Sequence, residues 1–363
     1  AGGSGLVAVA WTLPTLGITT AANGIVTGSA IIVQPVIQLY DNATTPSVLS
    51  SSGITITATA SPAGCTVSNG TASTDATGRA TFSNLTITGT VGTSCTLTYS
   101  TSGFQSIAQA AILIKQIPVD ITVSSSATDT AGEFINGKYI TSSVASSNIS
   151  NTSLNAALVN GDVELVAIGD AATTSLGSIV FQSTASINES AAATRTLTLK
   201  ATRNIYVYQS ARITSTGQKL NLIMNSDSDL SNGGLVNIIG TSSAYAIETN
   251  GGHVAIGGGN TTTSWNSLTV PNGYSKGVAS YTGDWWGVML GVNTDIANQK
   301  LIKTNNGAIR IKAQADASAN VSALYGLAWE SGAIDAGTGT VDLGGQTSGS
   351  PTVPTNDNYG VGL

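Results

Sequence analysis

The stretch that decides the fold is "GHVAI", Gly252 to Ile256: a glycine, then apolar residues at alternate positions. The same unit recurs as "GDVEL" from Gly161, "GSIVF" from Gly177, "GLVNI" from Gly234, "GAIRI" from Gly307 and "GTVDL" from Gly339. Alternation with period two is the pattern of a strand that buries one face. Each copy supplies two inward side chains, too few to form a core alone, so the copies must stack. Several lie about 15–18 residues apart, the interval expected of a solenoid rather than of a closed sandwich. The outward positions then fall to Asp162 and Glu164, Ser178 and Val180, Leu235 and Asn237, His253 and Ala255, Ala308 and Arg310, and Thr340 and Asp342. "TLTLKA" from Thr196, "NIYVYQ" from Asn204 and "KLNLIM" from Lys219 read as strands of the same kind without the glycine. Glycine at the corners allows a sharp bend or close backbone approach.

Composition agrees with strands throughout. Of 363 residues, 41% are apolar, enough for a sizeable core, and only 9% are charged, against about 25% in an ordinary globular chain. Gly, Ser, Thr and Asn dominate, and runs that favour helix are scarce. The net charge of −6, with 13 Lys and Arg scattered singly, offers no basic patch and argues against nucleic acid as a partner. No apolar run reaches the roughly 20 residues of a membrane-spanning helix. The chain opens at Ala1 with neither Met nor a signal-like segment, so a processed or excised piece is expected.

Before the boundary at "KQIPVD" (Lys115 to Asp120, with Pro118) the pattern differs. "QPVIQLYD" (Gln34 to Asp41), "GITITATA" (Gly53 to Ala60), "GRATFSNLTITG" (Gly78 to Gly89), "CTLTYS" (Cys95 to Ser100) and "AAILI" (Ala110 to Ile114) read as short alternating strands between turns. That spacing fits a sandwich over residues 14–115, with 1–13 as an N-terminal strand or linker. Cys65 and Cys95 are the whole thiol inventory, and both lie in strand-like settings. A metal site needs about four ligands, and the single histidine is distant, so a disulfide is expected, and with it an oxidising compartment.

"GRATFSNLTITGTVGTSCTLTYS" (Gly78 to Ser100), with "GSAIIVQPVIQLYDN" (Gly28 to Asn42), resembles the bacterial immunoglobulin-like domains of invasin-type surface proteins. "LNAALVNGDVELVA" (Leu154 to Ala167), "NGAIRIKAQ" (Asn306 to Gln314) and "GTGTVDLGG" (Gly337 to Gly345) resemble the filamentous-haemagglutinin-like repeats of large bacterial adhesins. The resemblance implies an all-β chain: an immunoglobulin-like β-sandwich followed, over 116–363, by a right-handed parallel β-helix. The stretch from Thr261 to Ile302 matches the pentamer weakly and is expected to be an elaborated coil.

Catalytic chemistry is poorly supplied. His253 is assigned outward, because Val254 and Ile256 take the inward positions, and is read as solvated. No Gly-x-Ser-x-Gly elbow accompanies it, which excludes a serine hydrolase of that kind. Asp227 and Asp229 in "NSDSDLSNGG" are the best calcium candidates but lack the spacing of a known loop, and an ordinary polar turn is the simpler reading. No catalytic, cofactor or metal site is assigned. In "SYTGDWWGVML", Tyr281 and Trp285 are candidate contacts for surface carbohydrate or protein, and Trp286 is assigned to a coil corner. The sequons, Asn42 and Asn84 among them, are no more than an Asn-, Ser- and Thr-rich chain carries by chance.

"WGVML" from Trp286, "YGLAW" from Tyr325 and the final "YGVGL" from Tyr359 share one signature. The chain thus ends on what reads as the opening of another repeat. Leu6, Val7, Val9 and Trp11 at one end, and Tyr359, Val361 and Leu363 at the other, are candidate assembly ends that meet copies of the chain or further repeats. The expectation is a non-enzymatic, extracellular building block of a bacterial surface fibre or giant adhesin. A β-helical polysaccharide lyase or glycosidase is the alternative.

Overall fold

The computed structural model describes residues 12–128, 131–143, 146–169, 177–231, 233–277, 286–292, 298–315, 323–347 and 357–362. The chain is nearly all β and divides into two compact units, Ala1–Gln116 and Ile117–Leu363.

In the first unit the sheets are mainly antiparallel. Thr15–Thr20, Val36–Tyr40 and Arg79–Thr81 form one sheet. A second is built around Ser94–Ser100, which pairs with Thr55–Ser61 and Ile112–Lys115. Alternation decides which side chains go in: along Ser94–Ser100 every second residue is buried, placing Cys95, Leu97 and Tyr99 in the core with Phe82, Leu85 and Ile87. Val36–Tyr40 breaks the rule, since Gln38 is buried as well. Its amide donates to the carbonyls of Thr77 and Gly78, which satisfies it. Cys65 and Cys95 form a disulfide with 6.0 Å between their Cα atoms.

In the second unit, successive strands go to three different sheets and each pairs in parallel with the strand one circuit later. Ile179–Phe181, Ser186–Glu189 and Arg195–Ala201 pair with Ile205–Val207, Arg212–Ser215 and Leu220–Ser226 respectively. The register stacks like on like. Ile187, Ile213, Ile247, Ile302 and Ile334 form one ladder, and the first four are fully buried. On the next sheet Leu197, Leu222, Val254, Ile309 and Val341 align, and on the third Ile179, Ile205, Val236, Val288, Leu327 and Val361. Burial of the earlier members of these rows in one continuous core is the main driving force of the unit.

The 15–18-residue interval is corrected by this arrangement. Gly161 and Gly252 precede strands of one sheet, Gly177 and Gly234 strands of another, so that interval is a step between sheets and a full circuit is longer. Four outward assignments are also corrected, since Ser178, Leu235, Ala255 and Ala308 are all buried. Ala255 is buried because the hairpin of Val254–Trp265 with Leu268–Gly273 folds over it, packing Val270, Trp265 and Leu268 against Ala255 and Ile223. Leu235 is buried at a corner, where its backbone bonds Asn204 and Ile205 of the neighbouring rung. The same hairpin accounts for part of the irregular stretch from Thr261 to Ile302.

Candidate functional site

The second unit begins and ends differently, and its sequence explains how. At its start, Asn151–Asn160 is helical, although composition pointed away from helix. The Ser150 hydroxyl caps it by accepting from Ser153 N at 3.1 Å. Leu154 and Leu158, four apart, enter the common core. Arg195 closes the other end, its guanidinium donating to the carbonyls of Leu158 and Val159, both at 2.9 Å. The helix lies against Ser186–Glu189, the first strand of the isoleucine sheet, and Asn155 accepts that strand's Asn188 N–H at 2.9 Å. An edge that would otherwise be open is thereby occupied.

At the other end, Ala333–Asp335, Val341–Thr347 and Asp357–Gly362 are the last described strands of the three sheets. Each has a parallel partner on its earlier side. Burial fades here: Val341 is 46% exposed, whereas Ile309, its register partner, is fully buried. The Trp/Tyr-Gly signature falls into place in these rungs. Tyr325 pairs with Tyr359, Leu327 with Val288 and Val361, and the Gly287 N–H donates to Gly326 O at 3.0 Å.

The candidate end residues Tyr359 and Val361 thus lie in the last described strand of their sheet. Leu6, Val7, Val9, Trp11 and Leu363, and the candidate contacts Tyr281 and Trp285, lie outside the described residues. Trp286 is half-buried, next to Gly287 at the corner.

His253 faces away from the core but is engaged rather than solvated. Its Nδ1 accepts the Ala308 N–H of the next rung at 2.9 Å, and its ring meets Trp265 edge-on at 5.7 Å. Burial, followed by the nearby Lys219, lowers its pKa. Asp227 and Asp229 sit in different settings. Asp229 is bound within its own turn by Ser231. Asp227 is buried, its Oδ1 lacking a hydrogen-bond partner. Desolvation, with Asp229 second, pushes its pKa up to about 7 against the attraction of Lys276 and Arg203. Among the described residues no group of three or more His, Cys, Asp or Glu could hold a metal ion, and no helix is long and apolar enough to cross a membrane.

Sequence reasoning missed the corner motif that precedes the pentamers. Ser215, Thr249 and Thr304 each donate to the carbonyl three residues on, those of Gln218, Gly252 and Gly307. The signal was present as Thr three positions before Gly252 and Gly307.

Comparison with protein-family models, curated proteins and solved structures finds no match.

Proposed function

We propose that the chain is a non-enzymatic, extracellular building block of a bacterial surface fibre or large adhesin. In this reading the first unit is an immunoglobulin-like sandwich used as a spacer, and the second a right-handed parallel β-helix used as a stiff rod. The observation that carries it is the asymmetry of the second unit. A helix with both ends capped occupies the start of the isoleucine sheet, while Val341 on the last described rung is half exposed beside a buried Ile309. Unpaired strand edges invite another strand. Growth then proceeds from the late end, by further repeats or by a neighbouring copy whose contact does not close on itself. The disulfide supports an oxidising, extracellular setting.

The register argues against a polysaccharide-processing enzyme. Such enzymes set carboxylates side by side across a groove. On the rungs, Glu164 stands between Lys138 and Thr198, Glu248 between Thr214 and Lys303, Asp335 beside Lys303 and Asp342 beside Arg310. Each of these four carboxylates is next to a cation, and Glu189, buried on its strand, is held by the Ala191 N–H and the Ser215 hydroxyl, which suits a stable surface better than proton transfer.

The test is analytical ultracentrifugation with electron microscopy of the chain and of Val341→Asp. Concentration-dependent linear oligomers that the charged variant abolishes are expected. A chain that stays monomeric at every concentration rules out assembly by copies and leaves only continuation by further repeats. Turnover of acidic or neutral polysaccharides by the purified chain would overturn the non-enzymatic reading altogether.

A further inference from the structure

On the isoleucine sheet three cations and one aromatic ring gather over neighbouring rungs. Arg212 Nη2 is 3.7 Å from Glu248 Oε2, and Lys303 Nζ is 3.5 Å from Glu248 Oε1. Glu248 is therefore shared by two cations. Lys300 Nζ donates to the Ser243 carbonyl at 3.3 Å, and it and Lys303 stand 6.0 and 5.7 Å from the centre of the Tyr245 ring. Asp335, in register with Lys303, is the other carboxylate of this row. In a chain with 13 Lys and Arg against 19 Asp and Glu, a face where cations outnumber carboxylates departs from the whole.

Beside this row lies a cavity of about 160 Å³ bordered by Ser210, Arg212, Thr241, Ser243 and Ala246. Arg212 contributes a second anomaly, because its Nε is buried without a hydrogen-bond partner. A buried donor left unpaired is costly, so an orphan on a guanidinium marks a place for an acceptor. Thr241, by contrast, is already satisfied by Ala244.

From this combination we infer that the face binds acidic sugar, a uronic acid unit of a polysaccharide. Its carboxylate enters the cavity beside the Arg212 guanidinium, with Lys300 supplying further positive charge. The apolar face of its ring lies on Tyr245. Guanidinium suits a carboxylate because its N–H groups are fixed in a plane. An aromatic ring offers a broad surface at low entropic cost, which an acidic peptide would leave largely unused. Sugar binding is read by calorimetry and end-to-end assembly by ultracentrifugation, so either reading can fail without the other.

The experiment is calorimetric titration of the full chain with trigalacturonate, with its methyl ester, and with a triglutamate peptide. Trigalacturonate is expected to bind, and the ester and the peptide to bind at least about tenfold more weakly, the equivalent of one lost charged hydrogen bond. Arg212→Gln should remove the preference for acid over ester, Lys300→Gln should weaken trigalacturonate alone, and Tyr245→Ala should weaken both sugars. Thermal melting of each variant checks that it is folded, and the exposed Lys300 ammonium provides a change that leaves the core untouched. Absence of trigalacturonate binding, equal binding of the ester or the peptide, or unchanged binding by folded Arg212→Gln and Lys300→Gln would each overturn the assignment.

Discussion

The Thr249 hydroxyl donates to the carbonyl of Gly252 at 2.7 Å, closing a corner from inside the second unit. Thr249 is fully buried, and Thr304 and Ser215 repeat the bond in the rungs after and before it. A stacked row of hydroxyls thereby satisfies carbonyls that the sheets cannot reach. Thr249→Val keeps the shape and removes the donor, leaving the Gly252 carbonyl without that partner. Loss of about 1–3 kcal/mol is expected in denaturant unfolding. Thr198→Val, at an outward position of the strand Arg195–Ala201, should cost much less because a β-branched residue remains on a strand surface.

A second prediction concerns pH. Asp227 has a folded pKa of about 7 against an ordinary 3.8, so the folded state holds the proton more tightly than the unfolded chain. The resulting stabilisation is fully present below about pH 4 and is lost as pH rises through about 7. His253 has the opposite slope: its lowered pKa gives stability that is present above its ordinary value of 6.5 and lost as pH falls. The diagnostic is therefore the difference between the parent and Asp227→Asn. Between pH 5 and 8 the variant should lose the downward slope with rising pH and be the more stable protein at pH 8. Identical pH profiles would show that Asp227 titrates normally.

The disulfide gives a third. It joins residues 30 apart within the first unit, and the loop-entropy model assigns it about 3–4 kcal/mol. Replacing Cys65 and Cys95 together by Ala should raise hydrogen exchange in Ser94–Ser100 and Thr55–Ser61, while the parallel sheets of the second unit keep their protection. Equal loss of protection in both units would mean that the two unfold as one.

How far the sequence could be read follows from where its signals are local. The isoleucine and valine rungs were legible because alternation is a property of a few consecutive residues. The length of a circuit was not, since the pentamers at Gly161 and Gly177 look alike and only pairing assigns them to different sheets. The helix at Asn151–Asn160 was hidden for a similar reason: its stability comes from burying Leu154 and Leu158 and from Arg195, which lies well beyond it in sequence. Asp227 looked like an ordinary turn residue because desolvation depends on the rungs that surround it. Arg212, Tyr245 and Lys300 are single residues in unremarkable stretches, brought to one face by circuits of unequal length.

The last prediction explains the repeated Trp/Tyr-Gly signature. A Cβ added at Gly326 would lie 2.6 Å from both the backbone N and O of Gln346 and 2.7 Å from the Ala313 carbonyl oxygen. Those atoms belong to strands of another sheet and cannot swing aside as a side chain would. At Gly287, one rung earlier, the added Cβ would be 2.8 Å from the Gln314 carbonyl oxygen. Both glycines therefore let two backbones approach where the sheets meet, and the aromatic residue before each marks the same corner. Gly326→Ala should destabilise the second unit by more than about 1 kcal/mol, since overpacking shifts backbone. Gly344→Ala is the control: it lies in a strand of the same unit, and its added Cβ would meet nothing closer than the Ile311 carbonyl oxygen at 3.7 Å. Thermal melting of the two variants should separate them clearly, with Gly344→Ala near the parent. If Gly326→Ala is equally neutral, the signature owes its glycine to something other than this contact.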